Sequence, residues 1–214
     1  MPRLPKLIRR RGLQPLADAR LIVGLGNPGA EYAGHRHNAG LRAAGHVHSL
    51  LRLSKPVRER HFRVSQAQTQ FGPAAVVFPR TFMNESGRAV QSLLMLYGAE
   101  PSDLILLVDE LDLAPGRIRI RPHGSDAGQR GMRSIRQTIG DLNFPRIRIG
   151  VGRPIVGGLP SRYPDDVANY LVNDPTPDQL PLLQSAERRA AEAVVHILEH
   201  GLDSAMNTYN QAST

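Results

Sequence analysis

Short apolar runs and helical stripes take turns along this chain of 214 residues. The first run, Arg20 to Val23, leads straight into a glycine turn and reads as a strand buried on both faces. From Asn38 the spacing changes. Leu41, Ala44, Gly45, Val47, Leu50 and Leu51 recur at helical intervals, and the pattern stops before Pro56. His61 to Thr69 and Ala74 to Phe78 are strand-like, with Gly72-Pro73 as the punctuation of a hairpin. A second helix is predicted after Asn84-Glu85-Ser86, where Val90, Leu93, Leu94 and Leu96 share a stripe. "LILLVDE" comes next as a buried strand with acids at its carboxyl end, and "RIRIRP" alternates strictly, as a half-exposed strand with arginines on one face does. "GMRSIRQTIG" predicts a short helix and "RIRIGVG" another strand. A Gly/Pro-rich loop, "RPIVGGLPSRYP", then leads to a short helix near Val167 and a long one from Asp178 to His200.

Strands that alternate with helices predict an α/β fold, a single-domain three-layer α/β/α sandwich, and the hairpins make its twisted sheet mixed. The domain is expected to span residues 20–214, with residues 1–19 as a basic extension. A domain of this size buries roughly 70% of the surface of its unfolded chain. The longest aliphatic run, Leu104 to Val108, is far too short to cross a bilayer, so no membrane partner is expected.

Charge changes this picture at one end. The formal net charge is +8, and residues 1–20 alone carry six Lys/Arg and one acid. Such an arm attracts phosphate backbones in a salt-dependent way, or it is a solvated extension. No apolar core of 7 to 15 residues follows the charges, which argues against a secretory signal and leaves an organellar presequence open. There is no cysteine, which excludes disulfides, thiolate metal sites and a cysteine nucleophile.

Gly24-Leu25-Gly26-Asn27-Pro28-Gly29 has the G-x-G-x-x-G form of a dinucleotide site. Such a site starts its helix within the glycines and carries an acid about 20 residues on. Here Pro28 lacks an N–H, Gly34 interrupts the segment after the motif, and His46, His48 and Ser49 stand where the acid belongs. What remains is a turn presenting Asn27, then His37 at a helix start, both where an open α/β sheet forms its ligand crevice. Asn84 and Asp109 emerge at comparable edges. A buried Asp109 carboxylate meeting His37 would fix the imidazole tautomer and leave the other nitrogen free to take a proton from water. Neighbouring asparagines would hold that water or an oxyanion. The plainer roles are Asn27 as a turn residue, Asn84 as a helix N-cap and Asp109 as a capping acid. Three metal patterns are weaker. His196, Glu199 and His200 fit H-x-x-E-H but sit at a helix end, where the dipole favours histidine. Arg36 separates His35 from His37, and Leu111 and Leu113 around Asp112 look like packing residues beside Asp109 and Glu110. No metal and no cofactor is expected.

Three stretches, "VGLGNPGAEYAGHRHNAG", "PRTFMNESGRAV" and "DELDLAPGRIRIRPHGS…GMRSI…NFPRIRIGVGRP", resemble bacterial peptidyl-tRNA hydrolases in order and over nearly all of Arg20 to Pro154. The resemblance implies a cytoplasmic, monomeric, metal-independent hydrolase of the ester between peptide and tRNA. It makes His37 the general base, Asp109 the carboxylate that keeps it ready, Asn27 the reader of the peptide's first amide, and Asn84 a holder of substrate near the carbonyl. Tyr32, Phe82 and Met83 would wall the place of the tRNA 3′ end and peptide. Arg119, Arg121, Arg146 and Arg148 would face tRNA phosphate, which needs charge without base readout. Two departures stand out. His35 replaces a threonine beside the base, and Ala127-Gly128-Gln129-Arg130-Gly131 replaces the family's Gly-Gly-His-Asn-Gly. Arg130 would then attract terminal phosphates or stabilise the oxyanion, and Gln129, placed with it among the contacts to substrate, would keep a histidine's hydrogen bonding without its charge. These changes and the basic arm motivate the alternative of an RNA-binding relative with weakened catalysis; the retained His37, Asp109, Asn27 and Asn84 speak against it. The loop from Ile155 to Pro164 is a candidate lid.

Overall fold

The computed structural model describes residues 13–211. Fifteen regular elements succeed one another: β1 (Arg20–Gly24), α1 (Ala39–Leu50), β2 (Val57–Arg58), β3 (Phe62–Thr69), β4 (Gly72–Pro79), α2 (Ser86–Tyr97), β5 (Leu104–Glu110), β6 (Ile118–Arg121), α3 (Arg130–Ile139), β7 (Arg146–Gly150), β8 (Ile155–Val156), β9 (Leu159–Pro160), α4 (Pro164–Leu171), α5 (Gln179–His200) and α6 (Leu202–Tyr209). Seven strands form one sheet in the order β2-β3-β4-β1-β5-β7-β6. Its four central strands are parallel, β3 runs against β4, and β6 runs against β7, so the sheet is mixed as expected.

β1, β4 and β5 are apolar on both sides because helices cover both sides. Ile22, Val76 and Leu107 pack with α1, α5 and α6, whereas Leu21, Val23, Val77 and Leu106 pack with α2 and α3. This is the three-layer α/β/α sandwich. Helix α1 approaches the sheet closely enough that a Cβ on Gly40 would stand 2.2 Å from the Leu107 carbonyl oxygen, and one on Gly24 would stand 2.4 Å from that of Gly40. Two facing glycines thus set how near α1 lies to β1 and β5.

Several boundaries differ from the sequence reading for local reasons. Arg36–Asn38 form a 3-10 turn before α1, and Met83–Glu85 form another before α2. Gly72 and Pro73 lie inside β4, because the Thr69 hydroxyl closes the turn itself, donating to the Gly72 carbonyl and accepting from the Phe71 N–H. Gly201, at φ +84, ends α5 and opens an additional helix, α6, while β2 and the small β8–β9 hairpin are strands too short to carry a periodicity.

Leu13 and Leu16, within the stretch expected as an extension, pack with Ala19 on the α2/α3 side of the core, and the Leu16 N–H donates to Gln66 Oε1. The rest of that stretch, residues 1–12, lies outside the described residues. Among the described residues no helix is long and apolar enough to cross a membrane.

Candidate active site

The parallel strands β1, β4, β5 and β7 all end at one edge of the sandwich, and the candidate residues gather there. Asp109 is the penultimate residue of β5 and is buried. Its Oδ2 accepts from His37 Nδ1 at 2.9 Å, and its Oδ1 accepts from the Gln129 side-chain amide at 2.9 Å. Gln129 is itself oriented, because its Oε1 caps α3 by accepting the Met132 N–H at 2.7 Å. Both carboxylate oxygens are therefore held by donors whose own positions are fixed. A carboxylate held at both oxygens cannot rotate. In the neutral imidazole, donation through Nδ1 leaves the lone pair on Nε2.

His37 owes its position to its neighbours in the 3-10 turn. The Arg36 guanidinium is buried, lies 4.0 Å from the Tyr170 ring centre, and donates to the carbonyls of Tyr170, Asn173 and Asp174 and to Gln179 Oε1. On the other side, Asn38 bonds the Asn27 backbone twice, accepting from its N–H at 2.8 Å and donating to its carbonyl at 3.0 Å. The turn is thus tied to the α4–α5 connection and to the end of β1. His35 takes no part in the dyad, since its ring packs edge-on against Tyr32 at 5.4 Å.

His37, Gln129 and Arg130 line one cleft of about 440 Å³, with Arg133 beside them and Val167 and Leu171 of α4 as its apolar wall. Asn27 faces a second cavity and is fixed by the Met83 N–H, which donates to its Oδ1 at 2.8 Å. Its side-chain NH₂ has no partner among the described residues, which leaves an oriented donor group. Asn84 is exposed in the Met83–Glu85 turn and makes no cap bond, so the N-cap role does not apply. Phe82, exposed, and Tyr32 meet edge-to-face at 6.1 Å. Met83 is buried in the core on the α2/α3 side.

The arginines divide. Arg119 and Arg121 of β6 are exposed. Arg146 is buried, pushed down to about 10 by desolvation and then by Arg148, and donates to the carbonyls of Ser125 and Leu142. Arg148 is paired with Glu110. The alternation of "RIRIG" therefore does not put Arg146 on an open face: a loop folds over it. Gln129 corrects the sequence reading too, since its amide is committed to Asp109 and the α3 cap. Arg36, Asn38 and Arg133 join the site without a sequence signal of their own, although Arg36 and Asn38 flank His37 in the first of the three motifs.

The metal patterns are otherwise engaged. His196 Nε2 bonds the Ser204 hydroxyl at 2.9 Å, Glu110 pairs with Arg148, and Asp112 pairs with Arg153 at 2.7 Å. Asp112 is held below the usual carboxylate range, chiefly by that hydrogen bond.

Residues 21–214 match the profile of the family described as Peptidyl-tRNA hydrolase. The peptidyl-tRNA hydrolase of Sorangium cellulosum is 39% identical over 191 residues, 89% of this chain and 83% of that one. That of Aquifex aeolicus is 36% identical and covers 91% of this chain and 97% of its own. The crystal structure of peptidyl-tRNA hydrolase from Acinetobacter baumannii superposes with a TM-score of 0.81 at 29% identity, over 94% of this chain and 98% of that one.

Proposed function

The chain belongs to the peptidyl-tRNA hydrolase family, enzymes that hydrolyse the ester of peptidyl-tRNA, and we propose how its crevice carries out that reaction. The observation that carries the reading is the buried 2.9 Å bond from His37 Nδ1 to Asp109, which leaves Nε2 free beside an open cleft. His37 Nε2 takes a proton from water as the oxygen attacks the ester carbonyl. It returns that proton to the ribose oxygen as the carbonyl–oxygen bond breaks, releasing peptide and tRNA. Asp109 stabilises the imidazolium in between, and Gln129 holds Asp109.

Substrate choice falls to Asn27 and Asn84. The Asn27 amide, fixed by Met83, offers its NH₂ to the first peptide carbonyl, a group that an unblocked aminoacyl-tRNA lacks. Asn84 holds the substrate near the reacting carbonyl, and Tyr32, Phe82 and Met83 support the 3′ end and peptide. Arg130 and Arg133 supply positive charge along the His37 cleft, while Arg119, Arg121 and Arg148 attract tRNA backbone; Arg146 contributes by shaping the loop that ends at Gln129. The five Lys/Arg of residues 1–12 add further attraction, and their deletion weakens tRNA binding mainly at low salt. The protein works as a cytoplasmic monomer.

The test is hydrolysis of an N-acetyl-aminoacyl-tRNA beside its unblocked counterpart, with His37→Ala as control. Rapid release from the blocked substrate alone, lost in the variant, is expected; equal and negligible turnover by both proteins sinks the reading.

A further inference from the structure

The strand pair β2–β3 carries a charge arrangement to which ester hydrolysis at His37 gives no role. Residues 52–63 contain five Lys/Arg and one acid, Glu59. Arg58, Arg60 and Arg63 are exposed, and their side chains make no ion pair or hydrogen bond among the described residues. Register brings two of them together: Arg58 stands directly opposite Arg63. Like charges facing each other across an antiparallel pair destabilise it. The other edge of the sheet has the same problem, with Arg119 opposite Arg148 and Arg121 opposite Arg146, but there Glu110 and two carbonyls relieve it. On β2–β3 no such relief is built in among the described residues, and an arriving anion would supply it.

The cations stand on a braced support. The Arg80 guanidinium donates to the carbonyls of Glu59 and Arg60 at 2.9 and 3.0 Å, its backbone N–H donates to the His61 carbonyl at 2.8 Å, and the Glu59 N–H donates to the Phe62 carbonyl at 2.9 Å. The turn also lies at the catalytic edge of the sheet, because Phe62 and Arg63 pair with Pro79 and Phe78 at the end of β4. Arg63 and Arg80 share a cavity of about 590 Å³ with Asn27 and Pro28, so the patch adjoins the pocket that Asn27 faces. His61 reports the local field. It is held below its ordinary value by desolvation first, then by Arg60 and Arg88, with Glu85 opposing.

We propose that Arg58, Arg60 and Arg63 form a second RNA-backbone surface, which grips phosphates of the tRNA body while the 3′ end lies at His37. This rests on peptidyl-tRNA being the substrate. Planar guanidinium forks match phosphate oxygens, and every tRNA brings a run of phosphates, whereas released peptides share only the single carboxylate that hydrolysis creates at their C-terminus, too little for three arginines.

The experiment compares wild type with R58Q/R60Q/R63Q on N-acetyl-aminoacyl-tRNA and on the same N-acetyl-aminoacyl group esterified to a CCA trinucleotide, and measures binding of deacylated tRNA. The triple variant is expected to raise KM for the tRNA substrate about tenfold with kcat unchanged, to leave the trinucleotide ester alone, and to lower the slope of log affinity against log salt by about three, one for each phosphate no longer neutralised. R58K/R60K/R63K, which keeps the charge, should retain most of the slope. Unchanged tRNA binding, or equal losses on both substrates, overturns the proposal. So does a loss confined to substrates with acidic peptides, which would make the patch a peptide subsite. If wild type hydrolyses neither substrate but the triple variant still weakens deacylated tRNA binding, the catalytic reading falls and the surface stands.

Discussion

The floor of the crevice and its two rims use charge in opposite ways. On the floor, Asp109 spends both oxygens on neighbours that are themselves anchored, and only His37 Nε2 is left open. On the rims, Arg58, Arg60, Arg63, Arg119 and Arg121 are exposed with no carboxylate to satisfy them among the described residues. Buried charge must be paired and yields geometry; open charge yields attraction that salt screens. Catalysis and substrate capture should therefore fail separately.

The sharpest way to break that comparison is at the floor. Asp109→Asn and His37→Ala should each lower kcat by about 10²–10⁴ while leaving KM and its salt dependence nearly as they are. A loss of affinity of the same size would mean that floor and rim are not distinct. Next comes Gln129→Ala, which removes one hydrogen bond to a charged group and should cost about tenfold in kcat, with recovery in Gln129→His. An unaltered rate would show that Asp109 needs no second holder. Within one rim, Arg146→Ala should destabilise the fold by about 2 kcal/mol, because two carbonyls lose their donor, while Arg119→Ala stays within about 0.5 kcal/mol. Denaturant melts of the two variants decide this, and equal effects would erase the division drawn between them. The smallest signal is at His61. Phosphate placed near Arg60 offsets the repulsion that lowers its pKa, so tRNA binding should move that pKa upward, as read by NMR titration; a fixed value would place the phosphates elsewhere.

Much of the floor is legible in the sequence because strand ends announce themselves. Five aliphatics followed by Asp109 put a carboxylate at the sheet's edge, and Pro28 rules out a pyrophosphate loop and turns attention to Asn27. The rims are less legible because a count of arginines does not contain their partners. Arg146 and Arg148 alternate with isoleucines just as Arg119 and Arg121 do, yet the Ser125 and Leu142 carbonyls and Glu110 absorb them. Arg58 and Arg63 draw no notice in sequence, since β2 is two residues long and only pairing reveals that the two face each other. Gln129 reads as a partner for substrate, and only the fold shows its amide divided between a helix cap and Asp109.

The Arg36 anchor bears on when this protein becomes able to act. Its guanidinium bonds lie 134 to 143 residues further along the chain, at Tyr170, Asn173, Asp174 and Gln179. During synthesis the sheet strands up to β7 emerge before any of those partners exists, so the turn that carries His37 is fastened late. A copy of this hydrolase still bound to its own tRNA, with its last third unmade, lacks the clamp that steadies its base. The clamp that steadies the base is completed only near the end of translation.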